Sequence, residues 1–292
     1  MLSNGSGQNS GAASSGALWF DGMISQKQKG FTLIEMLVVI SIIAVLMAVL
    51  LPVLGRARSQ AISVVCSSNL RQLVLANIGY STENNGFFVP AASDIWDSSG
   101  YHRWHGVRKS LNEAFDPKLG PLAEYLANGK VKECPAATGL VQSSQWNVSF
   151  EKGCGGYGYN MTYIGSRLWE KGYNYGQKAA YERTAKMSEV GKSFDTLMFA
   201  DSAFYQNGKY IIEYSFAEPR FWVSGGRVWT SSSPSPSIHF RHKGRANVGW
   251  VDGHVDGRRL VDYSGGNNFY KKCARMKLGW FSPVDNSLFD LK

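Results

Sequence analysis

Histidine and aspartate side chains lie close together near the C-terminal end of the 292-residue sequence, where their spacing could bind a metal ion. Asp252, His254 and Asp256 alternate along the chain, and alternate residues of an extended strand project from one face. With His242, they form a set of carboxylates and imidazoles that could hold a divalent cation. The alternative is structural: Asp252 and Gly253 make a turn, and His242 hydrogen-bonds an adjacent loop.

We predict the structural alternative, with Asp252-Gly253 in a tight type I′ hairpin turn and no cofactor. Catalysis is not indicated, because the sequence has neither the G-x-S-x-G of a serine hydrolase nor the H-E-x-x-H of a zinc protease. The protein is therefore predicted not to be an enzyme. The glycine-rich GCGGYGYN (153–160) lacks the Lys-Ser/Thr of a phosphate loop and is interpreted as a turn.

The cysteines could form disulfides. Cys66, Cys134, Cys154 and Cys273 include no C-x-x-C pair, the spacing typical of a zinc ribbon. In an exported domain, an even number of cysteines indicates disulfides rather than metal ligands. Cys134 and Cys154 lie in turn-rich sequence and are the predicted pair, whose closure would stabilise the domain by about 3 kcal/mol in the chain-entropy model. Buried free thiols are the alternative, and the connectivity of Cys66 and Cys273 is left open.

One acidic residue, Glu35, lies inside a long apolar run near the N-terminus. From Phe31 to Leu51 the only other polar side chains are Thr32 and Ser41. A helix of this length reaches roughly 30 Å, about the hydrocarbon thickness of a bilayer. The run is longer than the core of a signal peptide, and no small-residue cleavage site follows it. The segment is therefore predicted to span a membrane.

The orientation of this predicted helix follows from the basic stretch Lys27-Gln28-Lys29 just before it. By the positive-inside rule, the N-terminus lies in the cytoplasm and the residues after Leu51 lie on the other side of the membrane. A carboxylate in a membrane helix is costly to insert, so it marks a functional site with a partner. A cation at Phe31, about one helical turn from Glu35, would be such a partner.

The segment KGFTLIEMLVVISIIAVLMAVLLP (29–52) resembles the N-terminal signature of type IV prepilins and of the pseudopilins of type II secretion. The resemblance implies cleavage by a prepilin peptidase between Gly30 and Phe31, and methylation of the new N-terminus at Phe31. It also implies that Glu35 pairs with the N-terminus of a neighbouring subunit during fibre assembly. The implied partners are the prepilin peptidase, other pilin or pseudopilin subunits and the inner membrane.

A second resemblance lies in the C-terminal region. His242, followed after nine residues by Asp252-Gly253, resembles the H-X9-DG motif of a large bacterial subset of prepilin-like proteins. CSSNLRQL (66–73) and YGYN (157–160) also resemble this subset, which implies no established chemistry. Besides the fibre subunit, two functions therefore stay open. One is a minor tip subunit or adhesin that binds a glycan or a secreted client, and the other is a membrane-anchored periplasmic hydrolase.

The predicted division of the chain follows these segments. We expect a leader at 1–30 with Met23 as an alternative start, a transmembrane helix at 31–52, an amphipathic continuation at 53–83 and an exposed domain at 84–292. Strands are expected at 196–200, 209–216, 220–223, 247–251 and 254–255. A long helix followed by antiparallel strands is an α+β arrangement, and it matches the pilin-like fold that the resemblance implies.

The net charge of +9 does not by itself indicate a nucleic-acid partner. The basic residues are scattered, and no run of five occurs. We expect a solvated basic surface on a periplasmic domain, anchored by one helix or carried in an extracytoplasmic fibre.

Overall fold

The computed structural model describes residues 30–97, 99–140, 151–206, 210–261, 268–281 and 285–292. Of the predicted leader (1–30), residues 1–29, with Met23 and the basic Lys27-Gln28-Lys29, lie outside the described residues. The chain divides into two compact units, Met1–Leu51 and Pro52–Lys292.

Helix α1 spans Leu33–Glu83 and continues through Pro52. In the first unit all of its residues are exposed, and their side chains are almost entirely apolar. The helix is long and apolar enough to cross a membrane. It ends where Asn85 and Gly86 adopt positive φ angles of 53° and 83°, a left-handed conformation that asparagine and glycine tolerate at helix ends.

The second unit contains short elements around the C-terminal part of α1. Its described strands are β1 His102–Arg103, β2 Gly106–Val107, β3 Tyr157–Tyr159, β4 Leu197–Asp201, β5 Phe204–Gln206, β6 Tyr210–Ile212, β7 Trp222–Ser224, β8 Arg227–Trp229, β9 Ile238–His239, β10 Arg245–Trp250, β11 Val255–Arg259 and β12 Leu278–Gly279. Its other described α-helices are α2 Lys178–Glu182 and α3 Asn268–Arg275. Six 3₁₀ turns lie at Ile95–Asp97, Pro117–Leu119, Ala123–Tyr125, Ala127–Gly129, Ala137–Gly139 and Met187–Glu189.

A four-stranded antiparallel sheet with the order β11-β10-β4-β3 forms the centre of this unit. Ala200 of β4 pairs with Val248 of β10 on one side and with Gly158 of β3 on the other. All five residues of β4 are buried, as expected for an inner strand covered on both faces. The α+β class predicted from the sequence is confirmed.

One face of α1 packs against this sheet. Its buried residues recur at steps of three and four, the period of a single helix face: Cys66, Asn69, Leu70, Leu73, Val74, Ala76, Asn77 and Ser81. The approach is close, because a Cβ built on Gly249 of β10 would lie 2.6 Å from Val74 Cγ2. Glycine at this position therefore allows the helix and the sheet to touch.

One predicted element of the sheet differs from the structure. Strand β3 lies inside GCGGYGYN, so the interpretation of this whole segment as a turn was wrong. The segment carries no clear strand signal because Gly158 interrupts the run of side chains. A Cβ on Gly158 would lie 2.6 Å from the carbonyl of Phe216, so the position needs glycine where another backbone passes over the strand.

Candidate functional site

The first candidate site is the start of α1, where Thr32 and Glu35 contact each other. The Thr32 N–H and hydroxyl both donate to Glu35 Oε2 at 2.8 Å, and the Glu35 N–H donates to Thr32 Oγ1 at 3.3 Å. This reciprocal pattern is a capping box, which satisfies donors that a helix start leaves unpaired. Thr-x-x-Glu is the sequence signal of a capping box, but the cap was not among the features predicted from the sequence.

The surroundings of Glu35 are exposed and apolar. Its side chain lies among Phe31, Ile34, Val38 and Val39, and all four are open to the outside. The hydrogen bonds within the chain use Oε2. The carboxylate is thus held in a fixed position on a surface without other charges, where a cation from a second molecule can approach it.

The second candidate site is built on the turn that contains His242. Backbone hydrogen bonds join His242 and Arg245 in both directions, at 2.9 and 3.0 Å. The two residues between them, Lys243 and Gly244, have positive φ angles of 52° and 78°. A two-residue turn with both central φ angles positive is a type I′ turn. It directs the His242 side chain into the protein, where it is buried.

The His242 imidazole lies between a carboxylate and a sulfur. Its Nε2 is 3.2 Å from Asp201 Oδ2 and 3.5 Å from Cys134 Sγ. Asp201, at the end of β4, also accepts a hydrogen bond of 2.7 Å from the Asn247 N–H, and Arg241 Nε lies 3.9 Å from its Oδ1. All of these side chains are buried, so the cluster belongs to the interior of the domain.

The other segments singled out in the sequence meet near this cluster. The Tyr157 hydroxyl donates to the Cys66 carbonyl at 3.3 Å, which joins β3 to α1. Asn160 Nδ2 donates to the carbonyls of Leu197 and Phe289, at 2.9 and 2.8 Å. The H-X9-DG spacing corresponds to strand β10 and the turns on either side of it. His242 lies in the turn before β10, and Asp252-Gly253 lie in the turn after it. The Tyr157 contact connects the helix to the sheet, and the Asn160 contacts connect the end of β3 to β4 and to the C-terminal segment.

Asp252-Gly253 do form the hairpin turn between β10 and β11, but the predicted turn type was wrong. The Gly253 N–H donates to the Trp250 carbonyl and the Trp250 N–H donates to the His254 carbonyl, both at 3.0 Å, which closes a three-residue loop. Gly253 has a φ of 97°, whereas Asp252 is not among the residues with positive φ. This pattern is a turn followed by a glycine bulge, which the right-handed twist of the strands accommodates.

The predicted metal-ligand candidates are not gathered around one point. His254 Nδ1 lies 2.6 Å from Asp252 Oδ1, whereas Asp256 accepts a hydrogen bond from Trp250 Nε1 and pairs with Arg258. Within the described part of the chain, three donor atoms of His, Cys, Asp or Glu come within 4.8 Å of one another at a different place, formed by Cys66, Cys134 and His242.

The disulfide joins Cys66 to Cys134, so the predicted pairing of Cys134 with Cys154 was wrong. The prediction relied on turn-rich sequence and ignored the buried face of α1, on which Cys66 lies 4.9 Å (Cα to Cα) from Cys134. The Asn69 side chain holds the same loop by donating to the Glu133 carbonyl at 3.2 Å. Cys154 and Cys273 are free and buried, and burial raises the pKa of both thiols above the ordinary value.

A further buried polar cluster surrounds Glu151 and was not foreseen. Arg103 Nε donates to both Glu151 oxygens, at 3.0 and 3.1 Å, and the Ser215 hydroxyl donates to the same carboxylate. His105 Nε2 lies 3.9 Å away. Although burial opposes it, the Arg103 guanidinium holds the pKa of Glu151 below its usual value. The groups are closed off from solvent, so the cluster joins loops together inside the domain.

Comparison with known proteins agrees with the N-terminal features. The family described as "Prokaryotic N-terminal methylation motif" matches residues 25–51. The chain is 48% identical over 59 residues to a protein of Thermus thermophilus named "Type IV wide pilus major component PilA4". The aligned part is 20% of this chain and 45% of the relative's length. No solved structure matches the chain. Residues 25–51 thus carry the prokaryotic N-terminal methylation motif at the start of an apolar helix, and the chain is similar in part to a type IV pilus component.

Proposed function

We propose that the protein is a prepilin-like subunit, cleaved after Gly30, methylated at Phe31 and assembled into a type IV pilus-like or type II secretion pseudopilus-like fibre. The observation that supports this most directly is the position of the methylation motif. It covers residues 25–51, and the same segment contains the start of an apolar helix with a single carboxylate, Glu35. The similarity to a pilus component points in the same direction.

In this proposal, Glu35 has two roles that do not conflict. Its Oε2 caps the helix through Thr32, while Oε1 is available to the ammonium of a neighbouring subunit's Phe31. A charge pair gains strength in a low-dielectric, apolar setting such as the one around Glu35. Because the cap holds the carboxylate in place, the neighbour's ammonium finds it already oriented.

The apolar half of α1 requires a non-aqueous environment in either state of the subunit. Its leucine, isoleucine and valine side chains are exposed from Leu33 to Leu51. Such a surface is stable in lipid or against other apolar helices, but not in water. We infer a single-pass inner-membrane precursor with a cytoplasmic N-terminus and a periplasmic domain, which packs its helix against those of other subunits in the fibre.

The decisive experiment is mass spectrometry of the N-terminal peptide after co-expression with a prepilin peptidase. We expect a peptide that begins with N-methylated Phe31, and we expect Gly30→Val to leave the precursor uncut. A Cβ on Gly30 meets no atom of the described residues within 4 Å, so this variant tests the peptidase and not the folding of the described domain. Gly55→Ala, at another uncrowded glycine, is the matched control. An intact precursor in the wild type, or a cut behind residue 51, would overturn the proposal.

A second candidate function, a tip subunit or adhesin, is favoured by an aromatic surface on the β7–β8 hairpin. Trp229 of β8 is 43% exposed, and Arg227 lies 4.6 Å from its ring. Tyr175, which is 41% exposed, lies outside the hairpin and packs its ring edge-on against Trp222 of β7 at 5.9 Å. Exposed aromatic side chains of this kind are enriched at binding surfaces. If this surface binds a glycan, Trp229→Ala should abolish retention on a glycan array while leaving fibre incorporation unchanged.

The hydrolase alternative has less support. His242 and Asp201 do meet, but they are buried, and the adjacent Cys134 sulfur is bonded to Cys66. Asp252 lies after β10, in the turn at the opposite end from His242. We therefore propose a structural role for the H-X9-DG residues, in which they fix the two ends of β10.

A further inference from the structure

Several exposed cations of the second unit lie at one end of it without carboxylate partners. Within the described residues, none of them forms an ion pair, whereas other basic side chains such as Arg167 and Lys178 do. We call the set the basic surface, and its members are Arg56, Arg58, Lys243, Arg245 and Arg259.

The packing of the sheet on α1 brings these residues together. Lys243 Nζ donates to the Arg56 carbonyl at 3.3 Å, and Asn247 Nδ2 donates to the Ser63 carbonyl at 3.5 Å. Positions along β10 and along α1 therefore increase together. The start of β10, with Arg245, lies beside the part of α1 that directly follows the apolar run.

Two members of the basic surface are direct neighbours across the sheet. Arg245 of β10 and Arg259 of β11 are opposite each other in the register of these strands. The side chains of such a pair project from the same face, and like charges in this arrangement destabilise a sheet. Asp256 projects from the other face of β11, where it accepts from Trp250 Nε1 and pairs with Arg258. An anion from outside the chain would relieve the repulsion between the two arginines.

The basic surface lies close to the end of the apolar run in the chain. Arg56 and Arg58 follow Leu51 by five and seven positions of the same helix, which corresponds to about 8 and 10 Å. The headgroup layer of a bilayer extends roughly 5–8 Å beyond the hydrocarbon core. The two guanidinium groups are thus expected within about one Debye length of lipid phosphates.

We propose that the basic surface binds the anionic phospholipid headgroups of the membrane that α1 enters, and that it holds the second unit against the lipid. The inference rests on the anchored subunit proposed above. Guanidinium groups bind phosphate oxygens through two parallel hydrogen bonds, and the Lys243 ammonium adds a point charge. Each cation close to an anionic membrane strengthens the attraction by about fivefold.

The carboxylates of neighbouring segments are engaged elsewhere. Asp201, below the turn of Lys243, is buried and accepts from the Asn247 N–H. Glu133 lies in the loop whose backbone is held by Asn69, further along α1 than the basic surface. The sequence did not suggest this surface, because its members come from three separate segments with no run of basic residues.

The test places the full chain in nanodiscs of phosphatidylcholine, with and without phosphatidylglycerol. A neutral acylating reagent labels exposed lysines, and peptide mass spectrometry gives the rate at each. We expect Lys243 to react about fivefold more slowly in the discs with phosphatidylglycerol, and about 1 M salt to remove the difference. Inorganic phosphate added to phosphatidylcholine discs should not slow it. Lys109, which is exposed near the Tyr80 end of α1, should react equally in both discs.

Two variants with equal loss of charge separate the basic surface from net charge. Arg245→Gln/Arg259→Gln should bring the rate of Lys243 in the mixed discs close to that in phosphatidylcholine. Lys178→Gln/Arg183→Gln removes two exposed cations from α2 and the residue after it, beside the C-terminal end of α1, and should keep the protection.

Co-elution of the chain with the discs distinguishes two kinds of failure. A chain that does not co-elute overturns the anchored subunit and this inference with it. A chain that co-elutes overturns the inference alone if Lys243 reacts equally in both discs, or if Arg245→Gln/Arg259→Gln keeps the protection. Protection of Lys243 in assembled fibres but not in discs also overturns it, and assigns the basic surface to a neighbouring subunit.

Discussion

Removing the disulfide should destabilise the domain by an amount that its position in the chain determines. The bond joins residues 68 positions apart, so it closes a long loop of the unfolded chain. In the chain-entropy model, a loop of this length contributes about 4 kcal/mol of stability, compared with about 3 kcal/mol for the shorter loop between Cys134 and Cys154. We expect the loss of this link in Cys66→Ala/Cys134→Ala to lower the free energy of unfolding by about 4 kcal/mol, and the loss of two buried sulfurs to lower it by about 2 kcal/mol more.

The matched control is Cys154→Ala, which removes a buried sulfur but no covalent link. Deleting one buried heavy atom costs about 1 kcal/mol, so the control should lose about 1 kcal/mol against about 6 kcal/mol for the double variant. The assay is urea unfolding of the full chain in detergent, followed by fluorescence. Reductant should lower the stability of the wild type and of Cys154→Ala, but not that of the double variant.

Peptide mapping without reduction supplies an independent check. Digestion should release one cross-linked peptide pair that contains Cys66 and Cys134, and it should leave Cys154 as a free thiol. The reasoning from the α1 packing would be refuted by a cross-link to Cys154, or by a Cys154→Ala variant as unstable as the double variant.

Three further predictions concern a carboxylate in each unit and the hairpin glycine. Glu35→Gln keeps a side chain that can cap the helix but removes its charge, so the variant should insert into the membrane normally and enter fibres poorly. Thr32→Val removes only the hydroxyl of the cap, so this variant should still assemble into fibres. Immunoblots of purified fibres measure both. Burial raises the pKa of Glu218 to about 7, so the folded state holds a proton that the unfolded state has lost. Unfolding free energy should therefore fall by about 3 kcal/mol from about pH 4.5 to 7 in the wild type relative to Glu218→Gln, a difference that urea titrations at each pH would reveal. Gly253→Val should lower the free energy of unfolding by about 1–3 kcal/mol because valine does not favour the positive φ of this residue. Steric crowding adds little, since a Cβ here contacts Leu75 Cδ2 at 3.8 Å. Equal thermal melts for Gly253→Val and the control Gly257→Ala would contradict this.

Local features were the most predictable from the sequence. The apolar run and its length predicted a helix able to cross a membrane, and α1 has that length and composition. The turn at Asp252-Gly253 was also correctly located, although its type was not. Each of these features depends on residues within a few positions of each other, so spacing alone carries the information.

The candidate sites of the second unit could not be predicted from local spacing. His242 was expected to hold a loop, but its partners are Asp201 and Cys134, which the sequence places 41 and 108 positions away. Strand β3 was missed because Gly158 interrupts its pattern. A glycine is needed at this position because the backbone of Phe216, in a distant segment, passes close to the strand. In both cases, the partner that explains the residue lies elsewhere in the chain.

The sequence by itself therefore determined the membrane-compatible helix, the position of Glu35 near its start, and the α+β class, because helical period and hydropathy act over one or two turns of chain. The tertiary structure decided that Cys134 bonds to Cys66 and that His242 faces Asp201. It also decided that these two pairs lie beside the buried face of α1. These pairings arise only when the helix packs on the sheet and brings four separate segments to one point, and no local pattern specifies that packing.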